Sequence, residues 1–363
     1  MKKNLLCLLL SLVLVFSACA AVHAETVRKI GVCAGQMSDQ ETLAFCEMLR
    51  TFFASQETGD IKYELFFADA GGSTDTQKDQ ISNLLKQKLS LILINFLDSS
   101  AVEAASEALA GANTPMVLFG RQMIVRAGNE YTVHSSVDAL LDRVQGCYVG
   151  GDLRQASLKQ GEILAARDNH GDINGDGVIH YIILRDSAPR AESRLRTDLS
   201  LRAAGNAGLE AVCLADRSGA VDQEQAKAMF ERMIQEFGNQ IEAVICTHDY
   251  IAAGVVQAIQ DAISAPASRE PEEAEETEAE IQEDGEPEAR RESSLVNLNI
   301  CILGMDGTEE ARQLIREGKL AGTVVIDDTA QERMAQEAIL KILNKEEIQK
   351  YYWTEYEIIK ARP

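Results

Sequence analysis

From residue 25 onward, short apolar runs alternate with longer amphipathic stretches. The runs are RKIGVCA, IKYELFFAD, SLILINF, TPMVLFG, VIHYIILRD, LEAVCLAD, IEAVICT, LNICILGMD and GTVVID, all of strand length and rich in β-branched and aromatic residues. Between them, apolar positions recur at helical spacing over residues 41–55, 76–88, 99–112, 152–166, 192–207, 224–237, 250–262, 309–317 and 329–343. Strands apolar on both faces, each followed by a helix, predict parallel sheets covered by helices on both sides. So many strands fit two βα repeats better than one sheet, so the predicted fold class is α/β with two domains. In such folds ligands bind beyond the carboxyl ends of the strands.

Residues 269–292, REPEEAEETEAEIQEDGEPEARRE, break the pattern. They hold twelve acidic and three basic residues, and so carry −9 of the chain's net charge of −22. With almost no apolar content and like charges this dense, the segment reads as a solvated, disordered excursion. The total length of 363 residues is consistent with about two domains. The acidic balance argues against nucleic acid and anionic membrane surfaces as partners.

The first residues, MKKNLLCLLLSLVLVFSACAAVHAET, place Lys2 and Lys3 before an apolar stretch from Leu5 to Phe16 that is too short to span a bilayer comfortably. They read as an export signal over 1–24. Its processing site stays open between cleavage after Ala24 and a lipoprotein-type box ending at Cys19. The location implied is extracytoplasmic, either periplasmic or lipid-anchored at the outer face of the cell membrane. Beyond Cys7 in the signal, the cysteines show no metal-site spacing. Cys33, Cys213, Cys246 and Cys301 sit in strand-like runs and read as small core hydrophobes, with a Cys33–Cys46 disulfide left open.

The stretch DINGDGVIH, Asp172 to His180, has the first half of an EF-hand calcium loop, D-x-[DN]-x-[DN]-G. The closing glutamate of an EF-hand is missing, because Ile183 stands at that place, and a strand-like run follows where an EF-hand has a helix. The alternative is a tight Asn-Gly/Asp-Gly turn before a strand, with no metal.

Taken together, the signal, the paired βα repeats and this loop resemble the periplasmic galactose/glucose-binding proteins, type I solute-binding proteins of ABC transporters. The likeness runs from RKIGVCAG to WTEYEIIKARP and is carried by LILINFLDSSA, YVGGD…KQGEILA, DINGDGVIHYIILRD…PRAESR, IEAVICTHD and LAGTVVID. The resemblance implies two α/β lobes joined by three chain crossings near Pro115–Phe119, Asp306–Val325 and the terminal YEIIKARP. The lobes it implies are 25–116 plus 327–352 and 117–326, the second carrying the disordered acidic insert 264–296. Relatives continue past the last strand, so 353–363 reads as a third crossing cut short.

The resemblance also implies a closing ligand for the loop. A structural Ca2+ would be held by Asp172, Asn174, Asp176, the carbonyl of Val178, the side chain of His180 and a bidentate Glu242. All but one are the oxygen ligands a hard cation prefers. His180 stands where the family has glutamine, and imidazole is a poor calcium ligand. For the solute, the family positions are Asp39, Asn95, Arg194, His248 and Asp306, with His248 replacing an asparagine. Each also has a plain structural reading: a helix cap for Asp39, a strand-end amide for Asn95, a surface charge for Arg194 and a hinge contact for Asp306.

Departures from the family pattern are equally informative. Glu41 and Val221 fall where two aromatic rings would sandwich a pyranose, and the one tryptophan is Trp353. Arg190, Ala188 and Ile326 replace an aspartate, a histidine and an asparagine of the family. Losing both stacking faces removes much of the contact with a sugar ring, so glucose or galactose binding is expected to be altered or lost.

The expected function is capture of a small polar ligand such as a monosaccharide by a monomer that delivers it to an ABC permease. The alternative is a ligand-sensing lipoprotein that signals to a membrane receptor or kinase. No GxSxG, HExxH, P-loop or GxGxxG motif points to an enzyme, and the five histidines do not cluster. His170 and His180 flank the loop without forming a metal pair. A transcriptional regulator would need a DNA-binding headpiece where the signal stands, and a dockerin module would need a second calcium loop.

Overall fold

The computed structural model describes residues 26–120, 122–127, 130–167, 171–187, 191–206, 208, 210–264 and 299–361. The export signal with Cys19, positions Ala188 and Arg190, His170 and the acidic segment lie outside the described residues. Among the described residues, no helix is long and apolar enough to cross a membrane.

The chain divides into two compact units. The first comprises, of the described residues, 26–120, 135–149 and 335–352. Its sheet is built from β1 (Thr26–Ala34), β2 (Ile61–Asp69), β3 (Leu91–Asn95), β4 (Met116–Phe119), β7 (Gly146–Gly151) and β13 (Tyr351–Thr354), in the order β13-β7-β4-β3-β1-β2. The pairs β2–β1, β1–β3, β3–β4 and β4–β7 are parallel. Helices α1 (Gln40–Ser55), α2 (Thr74–Leu85), α3 (Ser99–Ala112) and α4 (Ser135–Arg143) connect them. β3 is buried at every position, as its LILIN sequence requires.

The second unit comprises 122–134, 150–334 and the residues from 353 onward. It opens with an antiparallel hairpin of β5 (Ile124–Ala127) and β6 (Glu130–Val133). Its sheet runs β14-β12-β11-β10-β8-β9, from β8 (Val178–Asp186), β9 (Glu210–Ala220), β10 (Ala243–Cys246), β11 (Cys301–Leu303), β12 (Gly322–Ile326) and β14 (Tyr356–Lys360). Only β14 runs antiparallel, against β12. The helices are α5 (Leu153–Ala165), α6 (Ala191–Asn206), α7 (Gln223–Phe237), α8 (Asp249–Ser264), α9 (Glu309–Arg316) and α10 (Asp328–Leu343), the last shared between the units. One core, with Phe230, Ile251 and Val255, fills the space between the sheet and α7–α8; another, with Ile163, Ile245 and Val324, lies under α5.

Helix starts follow from local chemistry. Asp39, Ser73, Asp98, Asp152 and Asp222 each stand at an N-cap and accept a backbone N–H two or three residues on. In α5, Gly161 permits close approach of α6, since a Cβ there would lie 2.1 Å from the Ser200 carbonyl oxygen.

Several boundaries differ from the sequence expectation. Residues 135–149 belong to the first unit, where β7 pairs with β4 and buries Cys147, Tyr148 and Val149. The glycine-rich GCYVGG gave too little apolar signal to be read as a strand. The chain changes units at 121/122, just past Pro115–Phe119, and at 134/135, 149/150, 334/335 and 352/353, whereas Asp306–Val325 lies inside the second unit. Tyr356–Lys360 forms β14, an edge of the second sheet. Cys33 and Cys46 are buried free thiols, so no disulfide joins them. Cys213 is exposed, because β9 forms an edge of its sheet.

Candidate functional site

In the second unit, the carboxyl ends of β8, β10 and β11 meet over a buried polar floor. Gln160 on α5 is fully buried and donates to the carbonyls of Cys246 and Gly304, both at 2.9 Å. Its own oxygen accepts from Ser200 at 2.8 Å. Thr247 Oγ1 accepts from the Asp186 amide, tying the end of β8 to β10. These bonds satisfy backbone groups that the strand ends would otherwise leave buried and unpaired.

α6 is positioned from its first turn. Buried Arg185 makes a two-pronged contact with Asp216 (2.8 and 3.0 Å) and donates to the Ser193 carbonyl at 2.7 Å. Ser193 Oγ donates to Asp186. One turn on, Arg196 Nη1 donates to the Thr247 carbonyl at 2.9 Å and to Asp306 Oδ1 at 3.3 Å.

Asp306 collects the cluster. Its Oδ2 lies 2.9 Å from His248 Nδ1, and because a carboxylate only accepts, Nδ1 carries the proton. Desolvation acts to raise the Asp306 pKa, but the hydrogen bonds from His248 and Arg196 and the Arg196 charge hold it below the usual carboxylate range. The backbone at Asp306 is left-handed, with φ of 116°, which sets its side chain apart from an ordinary strand end. The His248 ring stacks on Tyr250, centroids 5.4 Å apart and planes 14° apart. Tyr250 donates its hydroxyl to the Ala220 carbonyl at 3.1 Å, beside Val221, which is 55% exposed. Behind the cluster, Asp249 accepts from Thr323 Oγ1 and the Thr308 amide. Burial raises its pKa to about 6.

The loop from Asp172 forms a separate feature of the same unit. Asp172 accepts from the amides of Gly175 and Gly177, Asn174 from Asp176, and Asp176 from Val178. Glu242, with no exposed surface, reaches into the loop just before β10. Its Oε1 accepts from the amides of Ile173 (2.8 Å) and Asn174 (3.0 Å). Its Oε2 accepts from the His180 amide (2.8 Å) and His180 Nδ1 (3.2 Å). A carboxylate offers about four lone-pair positions, and all are taken. As placed, these residues do not fit a calcium ion that needs both Glu242 oxygens. Among the described residues, no group of three His, Cys, Asp or Glu side chains is arranged to hold a metal.

Residues 30–267 match the model of the periplasmic binding protein domain, about two thirds of the chain. The chain belongs to this family. The galactose/methyl-galactoside-binding periplasmic protein of Haemophilus influenzae is similar to this binding protein at 24% identity over 277 residues, 75% of this chain and 69% of that one. Two solved structures share the fold at 18% identity. One is an ABC transporter solute-binding protein of Bacillus halodurans with bound myo-inositol (TM-score 0.65; 92% of this chain and 94% of that one). The other is an ABC transporter periplasmic solute-binding protein of Actinobacillus succinogenes with bound D-allose (TM-score 0.64; 92% and 97%).

Of the solute positions expected from sequence, the binding protein brings His248 and Asp306 together. Arg194 is exposed, and Arg196, two residues on, makes the contact with Asp306. Only the direction of the helix decides between them, since α6 turns one arginine toward the strand ends and the other outward. Asp39 and Asn95 lie in the first unit. Asp39 caps α1, accepting from the Thr42 amide and hydroxyl. Asn95 ends β3, and its carbonyl accepts from buried Gln77. Tyr250 was missed, although an aromatic residue two positions after His248, in the first turn of a helix, was a visible signal. A cavity of about 500 Å³ lined by Arg217, Met229 and Arg232 lies between β9 and α7, away from this cluster.

Proposed function

We propose that the chain is an extracytoplasmic solute-binding protein that captures a small, neutral, hydroxyl-rich solute, a monosaccharide or cyclic polyol, for an ABC transporter. The observation that carries this reading is the Arg196–Asp306–His248 cluster at the strand ends. Its guanidinium and carboxylate offset one another, so the site offers hydrogen-bond donors and an acceptor with little net charge. That balance suits hydroxyl groups, which both donate and accept, better than an ionised solute. The named ligands of the relatives, a galactoside, D-allose and myo-inositol, are all of this class. Of the described aromatic rings, the site as placed gives Tyr250 and His248 beside Val221, so D-galactose and D-glucose need not be the preferred members.

Calorimetric titration with D-galactose, D-glucose, D-allose, myo-inositol and a hexuronate tests the reading. Saturable, micromolar or tighter binding of a neutral member supports it. Binding of the hexuronate alone, or of none, refutes it.

A further inference from the structure

The loop Asp172–His180 carries the donor pattern of a calcium site, but the structure gives its closing carboxylate another partner. Glu242 is fully buried and already meets two loop amides with one oxygen and the His180 amide with the other. The fourth position goes to the imidazole of His180, whose Nδ1 is 3.2 Å from Glu242 Oε2 and 4.0 Å from Asp176 Oδ2. The imidazole N–H thus stands between the two carboxylates that a bridging cation would join. We infer that this chain closes the loop without calcium, with the His180 ring as an internal donor in place of the ion.

Three observations converge on this. Glu242 has no lone pair left for bidentate coordination. The ninth position of the loop holds a nitrogen, which a hard cation disfavours relative to oxygen. Both Asp172 oxygens, the Asn174 oxygen and Asp176 Oδ1 are each directed at a loop amide, of Gly175 and Gly177, Asp176 and Val178 in turn, and Asp176 Oδ2 faces the His180 ring. Both the neutral Nδ1–H form and the imidazolium donate the same bond, so the closure does not depend on the ring's charge. The loop keeps the geometry that anchors it to β10, and the anchor becomes independent of the ion supply outside the cell.

The test compares purified protein, stripped on a chelating resin, in millimolar calcium and in excess EGTA. The wild type is expected to melt at the same midpoint in both and to retain no stoichiometric calcium by elemental analysis. His180→Gln frees one lone pair on Glu242 Oε2 and supplies an amide oxygen, enough for a cation held by that single Glu242 oxygen, so its midpoint is expected to rise with calcium, because an ion that binds only the native state stabilises it. A calcium-dependent rise in the wild type, or stoichiometric bound calcium, overturns the inference. So does a His180→Gln chain as indifferent to calcium as the wild type. The wild-type arm decides by itself if the variant does not fold.

Discussion

Replacing Glu242 by glutamine is the sharpest probe of how the second unit holds together. The substitution keeps shape and volume but exchanges one accepting oxygen for an NH2 group. In the structure all four contacts to Glu242 come from donors: the amides of Ile173, Asn174 and His180, and His180 Nδ1. Whichever way the glutamine amide turns, its oxygen can serve one pair of donors, and its NH2 must face the other pair. Two hydrogen bonds to a charged acceptor are lost, each contributing about 1.5–3 kcal/mol. The expected loss is therefore about 3–6 kcal/mol, an upper range because the loop can relax. Against a native stability of about 5–15 kcal/mol this is large. Urea unfolding followed by circular dichroism measures the global effect. Hydrogen exchange at Ile173, Asn174 and His180 reports local opening of the loop. If the midpoint shifts by less than about 1 kcal/mol equivalent and these amides stay protected, the carboxylate does not clamp the loop and the reasoning fails.

Other outcomes follow from single contacts. Arg196→Met is expected to weaken solute binding about 10- to 100-fold, the cost of a charge-assisted hydrogen bond, whereas Arg194→Met leaves the affinity unchanged; titration of both variants against a bound sugar checks this. Asp249, 2% exposed, is raised from 3.8 to about 6 by burial, so the folded state holds its proton more tightly than the unfolded chain does. Its contribution is present in full below about pH 4 and is lost as pH rises toward about 6, a change of about 3 kcal/mol. Asp249→Asn should remove that slope, and a urea midpoint for the variant that falls as steeply as the wild type's between these pH values would contradict the assignment. Gly161→Ala places a methyl group 2.1 Å from the Ser200 carbonyl oxygen. The overpacking is expected to cost about 1–3 kcal/mol in thermal unfolding, with the burden on the α5–α6 contact.

Much of this architecture is legible in the sequence because the relevant signals are local. Runs such as LILIN and VIHYIILRD can only be strands covered on both sides, and an aspartate or serine stands where each of several helices begins. Strands with weak apolar signals were not legible. GCYVGG in β7 and the short β5–β6 hairpin acquire their structure from the sheet or helices they pack against. In the same way, 353–363 reads in sequence as a crossing cut short, and Tyr356–Lys360 within it serves as an edge strand.

At the site, the sequence by itself determined the residue types: an arginine on α6, a histidine and an aspartate after two strands, and a glutamate far from a DINGDG loop. Tertiary structure alone decided which of them meet. Arg194 and Arg196 are two residues apart and chemically identical, and only helix rotation sends Arg196 to Asp306. The family resemblance brought Glu242 into view as an expected ligand, but a ligand list says nothing of lone pairs already spent. That count needs the positions of three amides and one imidazole together. Hydrogen-bond directions depend on atoms far apart in the chain, and those distances are set only when the fold closes.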